Sequence, residues 1–279
     1  MLVDLGISVW TGRKKDKRAS AEVADTNHAN RGVASVNKAL LGDCAELTAI
    51  SKFASMVRQS HYASTMPWSD TGLRLLPTQR YFAYVEQMSG FQQEFNRLVE
   101  AFLSNYEWEV LQAHAKLGDL FNADEYPTVD SLRDKFGFRL NYIPLPDSGD
   151  WRVDMEAEAQ QALREQYDGF YRKQMETAMD DVIQRVTGEL QRFVKQLDVD
   201  EDGRRGKIYQ STLDNVRNLT KLLEECNFTN DPTISLALAK LRQTLRGLDP
   251  TALKKNEAFR DETKRDLQAA IAALPSLDM

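Results

Sequence analysis

At 279 residues the chain is long enough for one large domain or two small ones, and 42% hydrophobic with 28% charged residues describes a folded protein with a well-solvated surface. The 36 basic and 42 acidic residues leave a net charge of -6, which argues against a generic nucleic-acid binder with an overall basic face and leaves room only for a local basic patch. Cys44 and Cys226 stand alone without a CxxC, so neither a disulfide framework nor a zinc knuckle is expected, and both read as small apolar helix residues.

The opening segment Val3 to Trp10 alternates apolar and polar positions and reads as a half-buried strand that stops at Thr11-Gly12. From Arg13 to Arg31 the chain is polar with little periodicity and reads as a mobile or weakly helical connector. Asp43, with Glu46 three residues on, opens a helix whose apolar stripe is Leu47, Ile50, Ala54, Val57 and His61 and which should end before Pro67. Pro67 to Pro77 is bracketed by prolines, holds Gly72 and reads as a packed loop.

Residues 78–117 carry a sustained helical seam: Tyr81, Val85, Met88, Gln92, Phe95, Val99, Phe102 and Tyr106 alternate steps of four and three, with a stutter before Ala113 and Leu117. Phe138 to Tyr142 alternates again, and Asp150 to Val153 is expected to return as the second strand of a hairpin for which the opening strand is the natural third partner. A second long helix over 155–197 steps by four, four and three through Tyr171, Met175, Met179, Val182, Val186, Leu190, Phe193 and Leu197. Shorter helices follow: one from about Ile208 to Glu225, then two opened by Asp231-Pro232 and Asp249-Pro250, where Asp caps and Pro pre-sets the first turn.

The expected fold is mainly α: an elongated helical bundle framed by two long helices, with a small antiparallel β element made of the N-terminal strand and the hairpin. All of residues 1–279 is assigned to a single domain, with the strand in 1–12, the hairpin in 137–154 and the C-terminal helices in 207–274. No apolar run reaches the roughly 20 residues of a membrane helix. Met1 to Asp4 show no signal-peptide pattern, so a cytoplasmic location is expected.

Chemistry-bearing motifs are few. Asp198-Val199-Asp200-Glu201-Asp202-Gly203 matches the first half of a calcium loop, but Arg205 and Tyr209 stand where the second half needs an apolar residue and a bidentate Glu. It therefore reads as a charged connection between helices. The three histidines, His28, His61 and His114, have no His or Cys at helical spacing, and His61 and His114 fall on or beside apolar stripes as packing residues. There is no phosphate-binding GxxxxGK[ST]. No catalytic residue, cofactor or metal site is assigned.

Two contact surfaces remain. Arg13, Lys14, Lys15, Lys17 and Arg18, with Trp10 to stack on a base, form a candidate nucleic-acid or partner contact. Trp68, Asp70 and Arg74 form a candidate partner surface.

The segments Asp4-Leu5-Gly6-Ile7-Ser8-Val9-Trp10-Thr11-Gly12-Arg13-Lys14-Lys15 and Pro67-Trp68-Ser69-Asp70-Thr71-Gly72-Leu73-Arg74-Leu75-Leu76-Pro77 resemble those of a family of uncharacterised tailed-phage and prophage proteins, a domain of unknown function. The resemblance extends through the long helices to about Asn227, and Asp16-Lys17 departs from it where a leucine is expected. Members are often encoded near a MoxR-type AAA+ ATPase and a von Willebrand A protein. The resemblance implies an accessory role with that machinery; together with the missing catalytic chemistry and the long amphipathic helices, the expectation is a non-enzymatic adaptor or scaffold in the host cytoplasm with such a protein partner. The alternative expectation is a nucleic-acid-associated factor in phage replication or recombination. Self-association is left open.

Overall fold

A computed structural model describes residues 1–145, 157–198, 206–227 and 230–275. The fold is mainly α with a small antiparallel β element. Packing divides the chain into two compact units: one takes Met1–Asp4, Tyr62–Tyr81 and the described part of Tyr142–Met279, the other Leu5–His61 and Phe82–Asn141.

In the first unit the core forms around α5 (Ala157–Leu197). Its seam buries Val182, Val186, Leu190, Phe193 and Leu197, as the sequence spacing predicts, together with Ala178 and Ile183. Around it pack α6 (Gln210–Cys226), α7 (Pro232–Leu245) and α9 (Glu257–Ile271), whose buried residues share one cluster with the seam. The Asp231 carboxylate accepts from Thr233 N at 2.7 Å and Ile234 N at 3.3 Å, so the Asp-Pro start of α7 works as expected. Asp249 likewise caps α8 (Pro250–Lys255) through Ala252 N at 3.1 Å.

The final helix expected after Asp249 is instead two. Asn256 ends α8 and its side chain caps α9 through Phe259 N at 3.1 Å, while buried Arg260 donates from Nε to the Leu253 carbonyl at 3.0 Å. A second cap and a side-chain donor thus satisfy the backbone groups freed by the break.

The segment read as a proline-bracketed loop is a small hairpin. Strand β4 (Met66–Pro67) pairs antiparallel with β5 (Arg74–Leu75), and β5 pairs with the start of β1 (Leu2–Ser8) through Leu2↔Leu75 and Val3↔Arg74. The sheet order is β4-β5-β1-β6, where β6 is Gly137–Ile143, so Pro67 sits on an edge strand where its missing N–H costs nothing. Gly72, at φ 94°, supplies the turn. The strand expected at Asp150 to Val153 lies outside the described residues.

The second unit is organised by α3 (Tyr81–Leu117) and α2 (Ala45–Ser64). On α2 the five expected stripe residues, Leu47, Ile50, Ala54, Val57 and His61, are the buried ones. On α3 Met88, Phe95, Val99, Phe102, Tyr106 and Ala113 are buried as expected, but Tyr84 replaces Val85 and Gln92 is exposed, donating to the Phe138 carbonyl at 3.4 Å. A 3.5-residue seam drifts around a 3.6-residue helix by about 20° per heptad, so the buried face slides by one residue over this length. Short α4 (Val129–Arg133) adds Leu132 to the same core, and Phe136 and Phe138 pack against it.

The stretch read as a mobile or weakly helical connector from Arg13 to Arg31 is helical over Lys17–Thr26, but it opens with an unexpected strand. Strand β2 (Arg13–Asp16) pairs antiparallel with β3 (Val36–Ala39), and α1 (Lys17–Thr26) follows directly, capped by Asp16 through Ala19 N at 2.9 Å. Charged residues build the strand, so no apolar period announces it.

Gly206 and Gly188 test the packing of the first unit in opposite directions. A Cβ at Gly206 would lie 2.5 Å from the Gln196 carbonyl oxygen, a backbone atom that cannot rotate away, whereas one at Gly188 inside α5 meets nothing within 4 Å. Gly206→Ala is expected to lower unfolding free energy by roughly 1–3 kcal/mol. Gly188→Ala should raise it by up to about 1 kcal/mol, both read by urea unfolding.

Candidate functional site

The basic run is built into the small sheet of the second unit. Antiparallel pairing sets Lys14 directly opposite Lys38, a like-charge pair that repels unless neutralised. Glu125 does this, with Oε2 2.7 Å from Lys38 Nζ and Oε1 3.9 Å from Lys14 Nζ, and Asp16 adds a carboxylate 3.5 Å from Lys38. Lys38 also donates to the Leu120 carbonyl at 2.7 Å, so its buried ammonium is fully engaged. The Ala19 amide, and then Lys38, hold the Asp16 carboxyl below its ordinary range, and hydrogen bonding to Glu125 raises the Lys38 pKa.

This geometry divides the predicted contact residues. Lys14 belongs to the ion cluster, and Arg18 pairs with Glu22 at 3.0 Å. Arg13, Lys15 and Lys17 are exposed. Trp10 is not a free stacking platform: its indole packs on the Phe102 and Tyr106 rings at 6.3 and 6.1 Å, where covering the aromatic seam buries more apolar surface than projection into water.

The second predicted surface is equally internal. Trp68 is only 5% exposed, with its ring 5.3 Å from Tyr171 in the core of the first unit. Arg74 is spent on Thr65, from Nε to Oγ1 at 2.7 Å and from Nη2 to the carbonyl at 2.9 Å, and lies over the Tyr62 ring. Only Asp70, in the turn, faces solvent.

An open groove of about 660 Å³ in the second unit joins three chain segments: Thr11 to Arg13, Ala39 to Cys44, and the outer face of α2 from Leu47 to Gln59. Gly12, at φ 61°, lets the first segment approach α2, where a Cβ would lie 2.9 Å from Leu47 Cδ2. Cys44 lines the groove, and its sulfur lies within 4.8 Å of carboxylate oxygens of Glu46 and Glu109, the one such potential metal-holding group among the described residues. Burial, with those carboxylates, pushes the Cys44 thiol up to about 11, so a cation there would have to displace a firmly held proton.

Cys226 is buried in α6 with its thiol pushed up to about 12 by desolvation. His61 Nδ1 lies 2.6 Å from the Tyr84 hydroxyl inside the second unit, the packing role expected of it. His114 is solvent-exposed with its ring edge-on to Phe121 at 4.6 Å. At the start of the acidic loop Asp198 pairs with Lys264 of α9, and residues 199–203 lie outside the described residues.

A further surface follows from α3. Ala101, Ser104, Trp108, Leu111 and Ala115 are all exposed and step by three and four along the side away from the buried seam. Trp108 is 57% and Leu111 59% exposed. The alternation of three and four at these positions is visible in the sequence, but the larger aromatics of the other seam mask it.

No family model, curated protein or solved structure matches this chain.

The ion cluster sets a pH window. Asp16 stabilises the fold above the ordinary carboxylate range and loses that contribution as pH falls through its own lowered pKa, while the raised Lys38 contributes below the ordinary lysine range and is lost only as pH rises through its raised pKa. Lys38→Met should lower the melting temperature at pH 7, and the deficit should shrink only as pH falls below the ordinary carboxylate range, where the depressed Asp16 carboxyl takes up its proton. A deficit constant from neutral to acidic pH would assign it to packing alone.

Proposed function

We propose that the protein is a non-enzymatic adaptor or scaffold acting in the host cytoplasm, which engages a protein partner through the outer face of α3. The observation that carries this reading is the exposed stripe of Trp108 and Leu111 flanked by Ala101, Ser104 and Ala115. Large apolar residues beside small ones at steps of three and four form the surface that a partner helix fits by knobs-into-holes packing. Trp is also the residue type most enriched where binding energy concentrates.

Two further features support a binding role over catalysis. Both thiols are held protonated by burial, and His61 is committed to Tyr84. The resemblance to the phage family makes a MoxR-type AAA+ ATPase, or a von Willebrand A protein encoded beside it, the partner to test first. Among the described residues no helix is long and apolar enough to cross a membrane.

Tagged protein recovered from infected cells should carry the ATPase or the von Willebrand A protein. The Trp108→Glu, Leu111→Glu double variant should lose it while keeping wild-type circular dichroism and melting temperature. Recovery without either partner overturns the adaptor reading; undiminished recovery with the double variant moves the contact off α3.

A second reading, a nucleic-acid-associated replication or recombination factor, draws on the exposed cations Arg13, Lys15 and Lys17. With Trp10 packed inward, such binding would be electrostatic alone. A gel shift should then vanish at raised salt and on replacing the three cations with serine.

A further inference from the structure

The groove of the second unit has a charge character opposite to that of the chain. The protein carries a net charge of -6, yet the lining itself holds two cations, Arg13 and Lys52, and no carboxylate; the carboxylates of Glu46 and Glu109 lie within 4.8 Å of the Cys44 sulfur, at that end of the groove only. Both cations are exposed, and neither makes an ion pair among the described residues. They stand on different walls, Arg13 at the start of β2 and Lys52 on α2. The lining also includes apolar side chains, the edges of buried Leu41 and Leu47 and the exposed Met56.

The α2 wall presents Thr48, Ser51, Ser55 and Gln59, positions separated by three or four residues and so aligned on one helix face. At 1.5 Å per residue this row runs ~16 Å, the span of about five residues of extended chain at ~3.3 Å each. Hydroxyls and an amide along one wall suit the exposed N–H and C=O groups of an extended backbone. The apolar part of the lining suits alternate apolar side chains, and the two cations suit carboxylates.

We infer that this groove docks an extended acidic segment of a partner protein, with apolar residues facing Leu41 and Leu47 and carboxylates paired to Arg13 and Lys52. Charge selects the occupant. A nucleic-acid strand would need a denser track of cations and would gain nothing from the leucine edges. The Cys44 thiol contributes shape, since at neutral pH it keeps its proton and forms no bond to the ligand. The inference is independent of the α3 stripe, because it uses a different face and different forces.

The test is a charge swap read by fluorescence anisotropy on the full chain. Two labelled probes are used, a seven-residue peptide alternating leucine with glutamate and its counterpart alternating leucine with lysine. Wild-type protein should bind the acidic probe, more weakly at higher salt, and not the basic one. Arg13→Glu with Lys52→Glu, both at exposed positions that leave the core untouched, should weaken the acidic probe by about tenfold and gain the basic one. The Trp108→Glu, Leu111→Glu variant should bind the acidic probe as wild type does, which separates failure of this site from failure of the adaptor reading. Equal binding of the acidic probe by wild type and charge-swapped protein, no binding of either probe, or displacement of the acidic probe by single-stranded DNA at lower concentration than by unlabelled peptide each overturns the inference.

Discussion

Each long helix can bury the side chains of only one seam, and that limit shapes everything built around it. On α3 the seam is aromatic, with Phe95, Phe102 and Tyr106 fully enclosed by side chains from α2, α4 and the residues flanking β6. Full burial of a side chain of this size is worth roughly 1.5–3 kcal/mol, so a few such residues outweigh any surface ion pair in the unit. On α5 the same role falls to Leu190, Phe193 and their neighbours, against which α6, α7 and α9 close. Since the seam uses only part of each circumference, the opposite side must meet water or a partner. Trp108 and Leu111 are large apolar residues on that opposite side.

What could be read from the sequence follows the range over which each interaction acts. The stripe from Leu47 to His61 and the caps at Asp231 and Asp249 are local, and each is encoded within a turn or two of helix. The β2–β3 pair was hidden because charges hold it: Lys38 is satisfied by Leu120 and Glu125, more than eighty residues along the chain. Trp10 and Trp68 read as surface residues because they sit in glycine- and proline-marked segments, yet both supply aromatic area to a core. The groove was not legible at all. Its walls come from three separate segments, and its meaning lies in the carboxylates its lining lacks.

The two surfaces of the second unit would work by different physics. The stripe on α3 gains by excluding water from indole and leucine and would be little affected by salt. Arg13 and Lys52 act across solvent and weaken as ionic strength rises. A partner that met both would gain affinity mainly from the first and orientation and speed of encounter mainly from the second. Neither surface lies on the ion cluster of Asp16, Lys38 and Glu125, which spends its charge internally to hold the strand that carries Arg13.

The chain supplies the two units in alternation, giving Met1–Asp4 to the first, Leu5–His61 to the second, Tyr62–Tyr81 to the first, Phe82–Asn141 to the second, and the remainder to the first. A ribosome therefore delivers every residue of the second unit by the time Asn141 is made. The first unit must wait: Leu2, Met66, Trp68 and Leu75 emerge early, but the residues that bury them lie on α5 and the helices beyond. At synthesis rates of about 5–20 residues per second these apolar side chains stay exposed on the nascent chain for on the order of ten seconds. Over that interval the half-made protein presents apolar surface of the kind chaperones cover, and a message truncated before α6 would yield a chain with every residue of the second unit and an unfinished core of the first.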